Sequence, residues 1–397
     1  MNQDLGPRLV AARQRRRLSQ DDVAALLGVT RVLVSHWEHG KRRPAEHVVE
    51  RLAQLYGVSL EELFAPDFEP SGSDLVELLY RDATDGIDAS ARAGLEDFVR
   101  FLDDFARLAA ELDEDLGPRT QSPFTLRPGF TSKEDARRKA LEVRDWLRLG
   151  LGPVGDLPGV LDGIGITVFR TPLGSDLARA VSGAFLQHPQ LGMSIAVNVE
   201  TTPGRQLFTL AHELAHALFH SEREHHLVSY WTRRDDKERF ADLWAGEFLV
   251  PVGGLRQTVE QLDLRARIEA EDVIHLQRHF GVSYGMMLLR LRHVGLIPVG
   301  RYDELKLVSP VALAAQLGYS IAPEEWGQDP SRWRLERFPR RFVRLLVRGL
   351  RKERLSPATA ATLTGLTIDE IAELITPPDT GDPEVIDELR EYESVAS

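Results

Sequence analysis

The run Thr209-Leu210-Ala211-His212-Glu213-Leu214-Ala215-His216-Ala217-Leu218-Phe219-His220 decides how this chain is read. Residues four apart on a helix share a face, so the imidazoles of His212 and His216 can reach one metal ion. Glu213 between them is the residue type that takes a proton from water at such a centre. Leu207 to Ala211 on one side and Ala217 to Phe219 on the other mark a buried helix. Three polar or charged residues on a buried stripe need a reason. His220 continues the stripe, but eight helical residues span about 12 Å, too far for His212 and His220 to hold one ion. His220 therefore reads as a neighbour of the ligands or as a structural residue.

A zinc site needs a third protein ligand. The next helical run, about 235–250 and stopped by Pro251, places Glu238, Ala241, Asp242, Ala245 and Leu249 on one face. Its alanines allow close approach to the His-bearing helix, and Glu238 is the expected third ligand. Glu247 lies nine residues on, about 180° around, and should face elsewhere. Asp242, one turn past Glu238, either orients a ligating His through its other ring nitrogen or is a plain surface acid.

Working outward, a helix over 133–149 precedes three strand-like runs, Gly163 to Phe169, Val181 to Gln187 and Met193 to Val199. A helix pair, 271–279 and 283–294, surrounds Gly281. Further helices are expected near 339–352, where aromatics interleave with arginines, and at 357–364 and 367–375. The tail after Pro377-Pro378 should be loose. The basic run, Arg337 to Arg344, either touches nucleic acid or forms an amphipathic helix. Upstream, a long helix over about 89–115 carries a Phe98, Leu102, Phe105, Leu108, Leu112 stripe. That stripe could join two copies of the chain or pack on the following domain. No repeat of fixed period is visible.

The first 64 residues read as five short helices. Ser19 caps 20–27, Gly28 ends it, and Thr30 caps 31–39. This has helix-turn-helix proportions, in which the second helix enters a major groove. Arg31, Ser35 and His36 are candidates for base edges. Gln20, Lys41, Arg42 and Arg43 are candidates for backbone contacts.

Two resemblances sharpen these readings. Leu18-Ser19-Gln20, Val23-Ala24, Leu27-Gly28-Val29-Thr30 and Val34-Ser35-His36-Trp37-Glu38-His39-Gly40-Lys41-Arg42-Arg43-Pro44 resemble the Cro/repressor (XRE) family. That likeness implies core roles for Leu26, Val34 and Trp37, and a double-stranded DNA operator, usually read by a homodimer. Residues Thr209 to His220, followed by Glu238-x-x-Ala241-Asp242-x-x-Ala245-x-x-Phe248-Leu249-Val250-Pro251, are similar to the gluzincin-like ImmA/IrrE metallopeptidases. This implies Zn2+, with His212, His216 and Glu238 as ligands and Glu213 as base. It also implies a helix-turn-helix repressor or other protein substrate, in a stress or mobile-element response. Carrying the DNA-binding domain on the same chain makes the chain itself a second candidate substrate. The alternatives are a regulator whose peptidase-like domain senses a ligand or metal without cutting, and the antitoxin of a toxin–antitoxin or phage-defence module.

The expected fold class is α+β, mostly α. It comprises a helix-turn-helix domain (1–66), an acidic helical linker (67–132), a metallopeptidase domain with a small β-sheet (133–300) and a helical C-terminal domain (301–397). The 397 residues contain no cysteine, which excludes disulfides, a thiol nucleophile and thiolate metal sites. Net charge is −12, yet residues 65–120 hold fifteen acids against five Lys/Arg, whereas residues 1–64 hold ten Lys/Arg against eight acids. A local basic face matters more to DNA than the sum. Without a secretory signal or an apolar span, a cytoplasmic protein with no membrane partner is expected.

Overall fold

Ser19 shows how local chemistry sets the N-terminal helices: its hydroxyl accepts from the Asp22 backbone N–H while Asp22 accepts from the Ser19 N–H. Gly28, at φ 68°, closes the same helix in the left-handed region. The computed structural model describes residues 5–15, 18–56, 58, 60–64, 89–116, 122–124, 132–175, 181–220, 226–230, 236–264, 267–319 and 335–375. Five N-terminal helices are α1 (Leu5–Arg15), α2 (Gln20–Leu27), α3 (Arg31–Glu38), α4 (Glu46–Tyr56) and α5 (Leu60–Phe64). They enclose their own core of Leu9, Leu18, Val23, Val34, Trp37, Leu52 and Tyr56. Leu26 is only half-buried, unlike Val34 and Trp37.

The chain continues through α6 (Ala89–Glu111), α7 (Lys133–Trp146), α8 (Leu157–Gly163), β1 (Thr167–Thr171), β2 (Val181–His188), β3 (Gly192–Asn198), α9 (Pro203–Phe219), β4 (His226–Tyr230) and α10 (Asp236–Leu249). Then come α11 (Val252–Gln261), α12 (Ala270–Phe280), α13 (Tyr284–His293), α14 (Val299–Leu305), α15 (Pro310–Gln316), α16 (Arg340–Arg351), α17 (Pro357–Thr364) and α18 (Ile368–Ile375). The architecture is α+β and mostly helical. The stretch expected to be a strand from Gly163 begins as one only at Thr167. Asp156 caps α8 and Pro158 sits in its first turn, so residues 157–163 are helical, and Gly165 turns the chain at φ 89°.

The sheet has the order β1-β3-β2-β4, with β1 parallel to β3 and the other pairs antiparallel. Both of its faces are covered. Val168, Phe185, Met193, Ile195 and Val197 join a core shared with α7, α9, α10, α12 and α13. Phe169, Val181, Ala184, Leu186 and Ala196 join a second core with α6, α16 and α18. Val181 and Gly183 lie on opposite faces although two residues apart, because a β-bulge between them shifts the phase. The apolar stripe of α6 is buried inside the chain: Phe101 stacks on Phe169 at 4.4 Å and meets Phe342 edge-on at 5.1 Å. The basic helix α16 is amphipathic, with Phe342, Leu345 and Leu346 inward and Arg341 and Arg348 paired to Asp162 and Glu114. No helix among the described residues is long and apolar enough to cross a membrane.

Candidate metal centre and helix-turn-helix interface

Helix α9 starts at Pro203, pre-set for a first helical turn, and runs across the inner face of β2 and β3. Its approach to β2 is close because Gly183 has no side chain. A Cβ there would lie 2.9 Å from the Glu213 Cγ, the Thr209 Cγ2 and the Ala196 carbonyl oxygen alike. Helix α10 packs against α9, where Phe219 meets Phe240 and Trp244 at ring-centroid distances of 5.6 and 5.8 Å, and its Ala241 and Ala245 are fully buried.

This packing gathers His212, His216 and Glu238, all buried, with one candidate ligand atom each and all three within 4.8 Å of one another. His212 Nε2 stands 3.1 Å from Glu238 Oε2 and 3.0 Å from His216 Nε2, and His216 Nε2 is 3.7 Å from Glu238 Oε1. Donors about 2.1 Å from a tetrahedral ion lie about 3.4 Å apart, so these separations bracket such a site. Two imidazoles and one carboxylate, without thiolate, also suit a zinc-like divalent ion.

The other ring atoms are engaged too. His212 Nδ1 is 3.0 Å from Asp242 Oδ1, which fixes the ring and leaves Nε2 for the centre. His216 Nδ1 meets His220 Nδ1 at 2.8 Å, one ring donating and the other accepting. Burial opposes a charge on His212. The hydrogen bonds to Asp242 and Glu238 and the field of Glu213 outweigh it, and the pKa is pushed up to about 10. Glu213 is fully buried on the same helix. Glu247 faces away, in a buried pair with Arg290 at 2.8 Å.

In the N-terminal domain, Arg31 is exposed beside Asp21 at 3.5 Å, Ser35 and His36 are half-buried, and Lys41, Arg42 and Arg43 are exposed. Gln20 is turned inward: its amide donates to Glu38 Oε2 at 2.8 Å. Arg13 holds both oxygens of the same buried Glu38 and donates to the Leu18 carbonyl. The side chains of Arg15, Arg16 and Arg17 lie outside the described residues.

Residues 161–292 match a peptidase-family model described as the IrrE N-terminal-like domain, and residues 4–65 match a helix-turn-helix domain model. The chain joins a helix-turn-helix domain to an IrrE-like domain. The helix-turn-helix domain is similar to the HTH-type transcriptional regulator PuuR of Escherichia coli (strain K12), 37% identical over 71 residues. Those residues are 18% of this chain and 38% of the regulator, and the Shigella flexneri regulator of that name gives the same figures.

Two features of the IrrE-like domain escaped sequence reasoning. Strand β4 lies between the two helices of the candidate site and pairs with β2. Gly183 is the close-approach point under Glu213, and its only sequence signal is a glycine inside a strand-like run. Between those helices, His225 lies outside the described residues, and only the backbone of His226 and Tyr230 is described.

Proposed function

We propose that this chain is a DNA-binding transcription regulator whose IrrE-like domain is a zinc-dependent endopeptidase, acting on a repressor-type protein or on the chain itself. One observation carries the reading: two helices bring His212, His216 and Glu238 within reach of one ion, with a buried glutamate, Glu213, beside them. Bound there, zinc would supply Lewis-acid polarisation of a scissile carbonyl. Glu213 accepts the proton of the attacking water and hands it to the departing amine nitrogen. Asp242 holds His212 in the tautomer that presents Nε2. A domain that only sensed metal would need the three ligands and not Glu213. The resemblance to ImmA/IrrE metallopeptidases supports the substrate class and a stress or mobile-element setting.

In the N-terminal domain, Arg31, Ser35 and His36 face base edges, and Lys41, Arg42 and Arg43 meet phosphates. The PuuR likeness supports this half of the reading. The test is elemental analysis of wild type and Glu238→Ala, with zinc-dependent cleavage assayed on the full-length chain and on helix-turn-helix repressors. About one zinc per chain, lost in Glu238→Ala, with cleavage abolished by Glu213→Gln, is the expected result. A chain that binds no metal and cleaves nothing on zinc addition overturns the enzyme and leaves a DNA-binding regulator.

A further inference from the structure

The C-terminal helices repeat the N-terminal ones. Adding 337 to the residue numbers carries α2 (20–27) onto α17 (357–364) and α3 (31–38) onto α18 (368–375) without a gap, and α1 (5–15) onto 342–352, where α16 lies at 340–351. Over residues 5–38, nine of 34 positions are identical: Leu9/Leu346, Val10/Val347, Arg17/Arg354, Leu18/Leu355, Ser19/Ser356, Ala24/Ala361, Leu26/Leu363, Gly28/Gly365 and Thr30/Thr367.

The local structure repeats as well. Ser19 and Ser356 each cap their helix by accepting from the N–H three residues on, at 3.0 and 3.1 Å. Thr30 and Thr367 do the same at 3.4 and 3.3 Å. Gly28 and Gly365 are both left-handed, at φ 68° and 72°. Leu9/Leu346, Leu18/Leu355, Val23/Ala360 and Val34/Ile371 are buried in both copies. Residues 342–375 are thus a second helix-turn-helix unit.

Its outer face has changed. Arg31, Val32, Ser35 and His36 become Ile368, Asp369, Ala372 and Glu373. The face that would read DNA now repels phosphate and exposes Ile368 at 57%. Beyond Ile375 the sequence adds seven acids and one arginine. A helix-turn-helix with an acidic reading face and an exposed isoleucine fits a basic protein surface.

We propose that this unit is a protein-docking module whose occupant is the basic reading face, Arg31 with Lys41 to Arg43, of the N-terminal domain in a second copy of the chain. The charges are complementary. The two units also sit at opposite ends of α6: Ala89 packs on the N-terminal core, while Arg354 holds the carbonyls of Glu111 and Leu112. Those ends are about 33 Å apart, which favours contact between copies over contact within one. A reciprocal pair closes as a two-fold dimer, and DNA competes with it for the same face.

The test uses full-length protein in sedimentation velocity at about 50 mM and about 500 mM salt, and anisotropy with a mixed-sequence duplex. Wild type dimerises at low salt, and duplex dissociates the dimer. Ile368→Arg with Glu373→Arg, both exposed, weakens self-association at least about tenfold and tightens duplex binding. Arg42→Glu with Arg43→Glu also weakens association, and combining the two pairs restores it. Circular dichroism checks that each variant folds. A wild type that stays monomeric at low salt overturns the proposal, as does a 368/373 variant that associates like wild type. So does duplex affinity that survives alanine at Lys41, Arg42 and Arg43, because the C-terminal unit would then itself read DNA.

Discussion

Gly183→Ala tests whether the metal site depends on how closely α9 approaches the sheet. The added Cβ would meet three atoms at 2.9 Å, one of them the Ala196 backbone oxygen of the neighbouring strand, which cannot swing aside. Apolar carbons settle at about 3.5–4.0 Å, so α9 must move off β2 by roughly 0.6–1 Å. Overpacking of this kind costs about 1–3 kcal/mol, which lowers the midpoint of a domain this size by roughly 2–10 °C. The movement falls on the turn carrying His212, Glu213 and His216, so metal affinity should fall with stability. Gly94→Ala on α6 is the control: its Cβ would lie 1.9 Å from the Pro172 carbonyl, on the other face of the sheet. Both variants should melt early. Only Gly183→Ala should lose zinc to a chelator that wild type resists. If both variants hold zinc equally, the ligands do not ride on the α9–β2 contact and the reasoning is refuted.

Asp242→Asn removes the anion that orients His212 and should weaken zinc binding about 10–100-fold with little change in melting, as read by chelator competition. In the N-terminal domain, Glu38→Ala leaves the largely buried Arg13 without its partner and should cost about 2 kcal/mol. Arg13→Leu with Glu38→Ile, the residues at the equivalent C-terminal positions, should cost less in the same urea titration. Burial, with Lys133, Arg290 and Arg292 nearby, holds the His293 pKa below its ordinary value. The folded chain therefore binds that proton less well than the unfolded chain. The associated stability is complete above about pH 6.5 and falls as pH drops through that value. His293→Gln should flatten the urea midpoint across this window. Ending the chain at Tyr319 strips Phe338, Phe342 and Leu346 from the outer sheet core and should prevent stable zinc binding. Starting it at Ala89 removes only a separate core and should not.

The grouping of His212, His216 and Glu238 was legible because helical spacing converts directly into a face: His212 and His216 four apart, Glu238 and Asp242 four apart, Glu247 on the far side. The terminal pair, expected at 357–364 and 367–375, lies at 357–364 and 368–375, with Ser356 and Gly365 capping its first helix. Gly163 to Ile166 misled because isoleucine between glycines looks like strand, while the deciding signals, Asp156 and Pro158, stand before the run. The partner of the α6 stripe could not be read. Phe98, Leu102 and Phe105 show that a face is buried, and only the fold shows that Phe169 and Phe342 bury it. Gly183 escaped for the same reason, since its importance lies in Glu213 and Thr209 across a layer. The 337-residue repeat has no periodicity to find, and its identities fall mostly on caps, turns and core.

That distribution separates what specifies a fold from what specifies a partner. Leu9/Leu346, Leu18/Leu355, Gly28/Gly365 and Thr30/Thr367 are kept because burial, a left-handed turn and a free helix end impose the same demands in both copies. Arg13, Gln20 and Glu38, a polar cluster in one unit, become Leu350, Pro357 and Ile375 in the other. A buried ion pair is readily replaced by apolar residues when both partners change together. Arg31 and His36 answer to no such internal constraint, and there the two units diverge in charge. The helix-turn-helix shape alone is therefore no evidence of a DNA reader. What assigns DNA to the N-terminal unit and protein to the C-terminal one is the sign of the charge on an exposed face.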